Sequence, residues 1–158
     1  MANERITESF FRNHVLGDDF YQNGKVIFEE QSPSNLKIKK LLTNASKSGK
    51  GQGFPEFIVQ YKENPEVIIV VECKAETKYH ESEKKDNPKS YAVDGALLYS
   101  SFLSKEFDVI AIAISGETER ELKVTHYLQL KNTNEAHHIF KDDKFLSFSD
   151  YLDGYKTD

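Results

Sequence analysis

The stretch Gly53–Glu76, GFPEFIVQYKENPEVIIVVECKAE, decides the fold of this chain. Two apolar segments flank the turn-like letters KENPE, a pattern that predicts a β-hairpin with strands over residues 54–61 and 67–74. The second strand begins with five consecutive apolar residues, as a buried strand does, yet it ends in Glu72 and Lys74. Charged side chains at the end of so apolar a strand indicate a polar site whose residues are held in place by a buried, rigid strand.

The hairpin geometry suggests which charges meet at that site. Side chains alternate along a strand, so Glu72 and Lys74 share one face. If the hairpin is symmetric about Asn64, Glu56 lies opposite Glu72 with Cβ atoms about 5 Å apart, where like charges destabilise the pair. Either Lys74 or a divalent cation must then compensate, and two converging carboxylates suit Mg²⁺. The alternative is a surface hairpin with an ordinary cross-strand Glu–Lys pair.

Composition limits the kind of protein. The chain has 158 residues, 38% hydrophobic and 30% charged, which predicts one globular domain. No apolar run approaches the length of a membrane span, the start lacks a signal peptide, and the single Cys73 excludes an internal disulfide; these features predict a cytoplasmic protein with no membrane partner. The net charge of −5 argues against a free-standing nucleic-acid binder, although lysines cluster over residues 37–50 and 74–89.

The remaining chain predicts a mixed α/β domain with a central sheet. The predicted order is α, β, α, β, β, α, β, β, with a weak strand at residues 138–140 and a terminal helix after Ser147 or Ser149. The first helix is expected to be capped by Asn3, the second to begin at Ser32-Pro33, and the long one at Asn87-Pro88. Outside the hairpin, helices are predicted over residues 4–14, 32–48 and 87–104, and strands over residues 25–30, 108–116 and 122–130.

Two half-motifs carry a family resemblance. Pro55-Glu56, fifteen intervening residues and then Glu72-Cys73-Lys74 resemble the bipartite signature of the PD-(D/E)xK nuclease superfamily. The segments KIKKLLTNASKSGKGQGFPEF, VVECKAE, YAVDGALLYSSFL and VIAIAISG resemble the amino-terminal nuclease region of restriction-modification proteins, over roughly residues 4–130. There the nuclease domain precedes an adenine-specific DNA methyltransferase, as in type IIG enzymes, or belongs to a type I R subunit.

The resemblance implies a fold and an organisation. It implies a restriction-endonuclease-like mixed central β-sheet flanked by helices. Residues 1–158 would form a single nuclease domain, the amino-terminal part of a longer protein. The first half-motif usually carries Asp, whereas this chain carries Glu56.

The resemblance also implies roles for individual residues. Glu56 and Glu72 would bind Mg²⁺, with Mn²⁺ able to substitute, and together with Lys74 they would form the catalytic set. Many members add an acid from the first helix, which falls on Glu8 as a third metal ligand. The alternative for Glu8 is an exposed acid favoured by the helix dipole.

The implied function is a Mg²⁺-dependent DNA endonuclease domain of a restriction-modification system. Lys47, Lys50, Lys78 and His80 are candidate DNA-binding residues, with the alternative that they are surface residues of polar loops. DNA methyltransferase and target-recognition regions, in the same chain or complex, would be partners, and double-strand cleavage would require a transient dimer. The alternative is a catalytically inactive nuclease-like domain that binds DNA or mediates assembly. The motifs alone do not distinguish a DNA substrate from RNA or branched DNA.

Overall fold

A computed structural model describes residues 2–157. The helices are α1 (Glu4–Leu16), α2 (Asp19–Gln22), α3 (Leu36–Leu41), α4 (Ala92–Leu103) and α5 (Phe148–Thr157). The strands are β1 (Val26–Glu30), β2 (Phe57–Tyr61), β3 (Asn64–Lys74), β4 (Asp108–Ser115), β5 (Lys123–Gln129) and β6 (His137–Ile139), and a 3₁₀ helix spans Thr77–Tyr79. The predicted elements are all present, and the short α2 adds one that the turn-like sequence did not predict.

The six strands form one mixed sheet in the order β1-β2-β3-β4-β5-β6. Only β3 and β4 among these neighbours run parallel, because the connection between them crosses over through α4. The other neighbours are antiparallel. The predicted mixed α/β class, a central mixed sheet flanked by helices, is confirmed, and this architecture is consistent with a restriction-endonuclease-like fold.

The core lies on both faces of the sheet, so the central strands are apolar on both sides. The odd-numbered residues of β3 from Val67 to Cys73 pack with α1 and α5 residues such as Phe11 and Tyr151. Ile68 and Val70 face the opposite layer, which includes α3 and α4. Within residues 2–157, no helix is both long enough and apolar enough to cross a bilayer.

The central hairpin has the predicted register over its paired strands. Phe57 pairs with Val71, and the same register continues along the next three residues of β2. The turn is not centred on Asn64, however, because Tyr61 pairs with Asn64 and a bulge between Gln60 and Tyr61 absorbs the difference. Strand β2 begins at Phe57, so Glu56 precedes the ladder.

Side-chain caps mark where α1 and α3 begin. Asn3 caps α1 as predicted, since its side chain accepts a hydrogen bond from the backbone N–H of Arg5. Helix α3 begins at Leu36, later than predicted, because Asn35 is its cap and accepts from the N–H of Ile38. Helix α4 begins at Ala92, after the predicted Asn87-Pro88 start, and its cap residue Tyr91 makes no side-chain capping hydrogen bond.

Candidate active site

Three carboxylates converge where α1 passes the beginning of β2. Glu4 and Glu8 lie four residues apart on α1 and therefore project from the same side of the helix. One carboxylate oxygen from each of Glu4, Glu8 and Glu56 lies within 4.8 Å of the other two. This arrangement provides three oxygen donors of the kind that Mg²⁺ and Ca²⁺ bind.

Glu72 lies beside this cluster and is fully buried. Its Oε1 accepts a hydrogen bond from the backbone N–H of Glu56 at 3.0 Å, and its Oε2 accepts from Lys47 Nζ at 2.8 Å. Strand alternation places Glu72 and Lys74 on one face of β3, as predicted. That face is the α4 side of the sheet. Glu56 contacts Glu72 through its backbone N–H, and not as the directly opposed strand pair that was predicted.

Burial raises the pKa values of the acids, and repulsion between carboxylates adds to the rise at Glu56 and Glu4. Burial, followed by repulsion from Glu72, Glu8 and Glu4, raises the pKa of Glu56 to about 8. Burial also raises the pKa of Glu4 and that of Glu72, the latter despite the opposing effect of Lys47. A cluster of carboxylates that repel one another in this way is suited to a cation.

Arg12 orients Glu8 from the solvent side. Its Nη2 lies 2.9 Å from Glu8 Oε1 and 2.7 Å from Glu30 Oε1, while its Nε donates to Glu30 Oε2 at 3.0 Å. The Glu8 side chain is only 12% exposed, so the interpretation of Glu8 as an exposed helix acid is wrong. Arg12 thus fixes one Glu8 oxygen, and the cluster geometry leaves this acid directed at Glu4 and Glu56.

Lys74 ends β3 next to the carboxylates. Its backbone is fixed opposite Ser115 of β4, and its Nζ donates to the carbonyl of Lys89 at 3.0 Å. The positive charge of Lys74 opposes the rise in the pKa of Glu4, and strand alternation places the Lys74 side chain on the same face of β3 as Glu72. It is Lys47, and not Lys74, that makes the hydrogen-bonded ion pair with Glu72.

Gly95 allows α4 to approach Glu72. A Cβ atom at this position would lie 3.2 Å from the carbonyl oxygen of Pro88 and 3.3 Å from Glu72 Oε2. These distances are shorter than ordinary carbon–oxygen contacts, and neither neighbour is the free end of a flexible chain, since both Glu72 oxygens are hydrogen-bonded. The unusual glycine inside the predicted long helix is explained by this close packing.

Gly95→Val is therefore expected to lower the free energy of unfolding by about 1–3 kcal/mol, the usual cost of overpacking. Helix propensity alone predicts the opposite sign, because valine favours a helix more than glycine does. Urea denaturation of the variant, beside Ser101→Val on the exposed side of α4, measures the difference. Equal or greater stability of Gly95→Val would show that the helix does not press on Glu72.

The candidate DNA-binding residues lie in different environments. Lys50 is exposed on the loop before β2, and Lys78 is exposed beside Glu76 with its Nζ 5.2 Å from the centre of the Tyr79 ring. Lys47 points into the site, as described above. His80 was predicted to contact DNA. It is buried, at 4% exposure, and is therefore not accessible to DNA.

His80 is held by two hydroxyl groups from the sheet. Its Nδ1 lies 2.7 Å from Ser115 Oγ and its Nε2 lies 2.7 Å from Thr125 Oγ1. Burial lowers the pKa of His80 to about 4, so the ring is neutral near pH 7 and carries no charge for a phosphate. The structure corrects the sequence-based assignment of this residue to the DNA-binding set.

Sequence reasoning missed Glu4, and it assigned Lys47 to DNA and not to the interior of the site. Glu4 was detectable, because its spacing of four residues from Glu8 on a predicted helix places both acids on one side. The contact of Lys47 with Glu72 joins residues 25 positions apart, and no local pattern signals it.

The fold and site define a mixed α/β domain with a carboxylate cluster at the edge of its central hairpin, and sequence similarity relates it to restriction-modification proteins. The chain is 35% identical over 112 residues to the "Type II restriction enzyme and methyltransferase RM.BcgI" of Heyndrickxia coagulans. The alignment covers 62% of this chain and 17% of that relative, so the chain spans less than a fifth of the protein it matches. No protein-family model and no solved structure matches the chain.

Proposed function

We propose that this chain is a Mg²⁺-dependent DNA endonuclease domain of the PD-(D/E)xK type, acting in a restriction-modification system. One observation carries the proposal: Glu4, Glu8 and Glu56 converge beside the buried Glu72 and the adjacent Lys74. The similarity to a restriction enzyme and methyltransferase supports the same class of function.

The donor set fits a divalent cation. When all are ionised, the site's four carboxylates and two ammonium groups carry a net charge of −2, which one divalent ion neutralises; these groups belong to Glu4, Glu8, Glu56, Glu72, Lys47 and Lys74. The ion would be held by Glu4, Glu8 and Glu56, with Glu72 beside these three ligands. Bound Mg²⁺ would stabilise charge on a phosphate oxygen and lower the pKa of a bound water.

The chain's own residues would position the reacting groups. Lys74 keeps donor capacity beyond its hydrogen bond to Lys89, because an ammonium has three N–H groups. At the end of β3 it would orient the attacking water and stabilise negative charge on the scissile phosphate. Burial of Glu72 and the pairing of Arg12 with Glu8 would hold the carboxylates in place before DNA arrives.

DNA contact would come from exposed lysines around this edge, with Lys50 and Lys78 reaching backbone phosphates. A net charge of −5 leaves this domain poorly suited to hold DNA alone. Methyltransferase and target-recognition regions, in the same polypeptide or in a partner, would supply most of the affinity and all of the sequence specificity. Cutting both strands would require a second site, supplied by a transient dimer.

Two observations favour a second function. Both Glu72 oxygens already accept hydrogen bonds from the protein, and the first half-motif carries Glu56 in place of the usual Asp. A nuclease-like domain that has lost catalysis and serves DNA binding or assembly would show these features. Retained DNA binding without metal-dependent cutting would identify it.

The test is cleavage of supercoiled plasmid by the full-length protein. We expect nicked or linear DNA with Mg²⁺ or Mn²⁺, no cleavage with excess EDTA, and no comparable degradation of a single-stranded RNA control. Intact plasmid with both metals, under conditions where a gel-shift assay shows DNA binding, would reject the nuclease and leave the inactive domain. Preferential cutting of RNA would show that the substrate is RNA and not DNA.

A further inference from the structure

We propose that Lys47 is a positioning residue of the metal centre: it holds the Glu72 carboxylate in place, and it stays on Glu72 when the metal binds. The inference rests on the proposed function, because it concerns the same carboxylate cluster. It assigns Lys47 to the site's interior, whereas the sequence suggested only a phosphate contact. It also separates the tasks of two lysines, with Lys74 next to the reacting groups and Lys47 behind them.

The contacts of Glu72 carry the first step. A fully buried carboxylate is costly unless its oxygens are paired, and both oxygens of Glu72 are paired here. Lys47 supplies the charged partner at 2.8 Å, and the backbone N–H of Glu56 supplies the neutral one at 3.0 Å. Within residues 2–157, Lys47 is the cation in salt-bridge contact with Glu72.

The same contacts connect Lys47 to a candidate ligand. Glu72 anchors the backbone N–H of Glu56, and the carboxylate of Glu56 faces Glu4 and Glu8. Loss of Lys47 would leave Glu72 buried without its charged partner, and movement of the Glu72 carboxylate would weaken its hydrogen bond to Glu56. The ligand cluster would then lose its fixed geometry, although Lys47 itself touches no ligand of the three.

The loop that carries Lys47 is built to hold it there. Gly53 N–H donates to the Leu42 carbonyl at 2.8 Å, which closes the base of the loop, and Ala45 is fully buried. A Cβ atom on Gly53 would lie 2.7 Å from the Ala45 carbonyl oxygen and 2.8 Å from the Tyr99 ring. Ala45 lies two residues from Lys47, so this tight packing fixes the path of the backbone beside Lys47. The contact with Glu72 is therefore not that of a freely moving surface lysine.

Calorimetric titration of the full-length protein with Mn²⁺ tests the inference. Lys47→Met, which keeps the length of the side chain without its charge, is expected to weaken Mn²⁺ binding about 10–100-fold, the usual effect of removing a residue that orients metal ligands. Lys47→Arg is expected to restore most of the affinity. Lys62→Met, an exposed lysine at the far turn of the same hairpin, is the matched control and should bind as the wild type does.

A double-mutant cycle distinguishes positioning from general damage to the fold. In a Glu72→Gln background, Lys47→Met should have no further effect on Mn²⁺ affinity, because its partner charge is already gone. Thermal unfolding without metal confirms that each variant is folded. An unchanged or tighter affinity in Lys47→Met would overturn the inference, since Lys47 would then be irrelevant to the metal or would compete with it.

The outcome does not depend on cleavage. A protein that binds Mn²⁺ and responds to Lys47→Met but never cuts DNA would keep the positioning role and refute the proposed nuclease. A protein that cuts DNA while Lys47→Met binds Mn²⁺ normally would keep the proposed nuclease and refute the positioning role of Lys47. A wild type without any Mn²⁺ binding would overturn the inference as well, because Lys47 would then only neutralise a buried acid.

Discussion

Lys74→Ala is expected to lower the rate of plasmid cleavage about 10²–10⁴-fold, the range associated with loss of one acid–base or charge-stabilising group. The lysine ends β3 beside the carboxylates, where its ammonium would contact the attacking water or the phosphate. Its role lies in the reaction, so Mn²⁺ affinity should change only a few-fold. Rates from plasmid cleavage and affinities from calorimetry, in the full-length protein, give the two readouts.

The fold should survive this substitution. The backbone of Lys74 is held in the parallel pairing with Ser115, and its side chain is only partly buried, so alanine keeps the strand intact. Lys62→Ala, at the exposed hairpin turn, serves as the charge-matched control and should cut at the wild-type rate. Wild-type cleavage by Lys74→Ala would remove this lysine from the catalytic set and direct attention to Lys47.

The central hairpin was predictable because its information is local. Five consecutive apolar residues predict a strand buried on both faces, and alternation fixes which side chains face which layer. The pairing of Phe57 with Val71 was predicted correctly, although from an assumed symmetric turn about Asn64. The position of the turn was not, because a bulge after Gln60 shifts it without altering the register of the strands.

Much of the site depends on contacts that no local pattern encodes. Lys47 reaches Glu72 across 25 residues of chain, through a loop whose path depends on Gly53 packing against Tyr99. His80 lies in a polar segment and was expected at the surface, yet hydroxyl groups 35 and 45 residues away bury it. Glu4 differs from both, since its spacing from Glu8 on a helix was sufficient to find it.

Glu56→Gln is expected to weaken Mn²⁺ binding at least about 10-fold, because removing a direct ligand should cost no less than disturbing a group that orients one. Glu56 is the acid that joins the cluster of α1 to the hairpin, so its charge is central to the site. Glu63→Gln, on the exposed hairpin turn, is the matched control with the same chemical change. Equal Mn²⁺ affinity in Glu56→Gln and wild type would exclude Glu56 as a ligand.

The same substitution should change how stability depends on pH when EDTA removes the metal. The pKa of Glu56 is raised from 4.5 to about 8 in the folded protein, so the folded state binds this proton more tightly than the unfolded state does. The resulting stabilisation is fully present below pH 4.5 and is lost as the pH rises through about 8. Glutamine cannot lose a proton, so Glu56→Gln should have the higher Tm at pH 8.5, with a smaller difference at pH 6. Saturating Mn²⁺ should reverse the order at pH 8.5, because the ion binds the wild type more tightly and therefore stabilises it more. The absence of this reversal would mean that the repulsion in the cluster does not serve a cation.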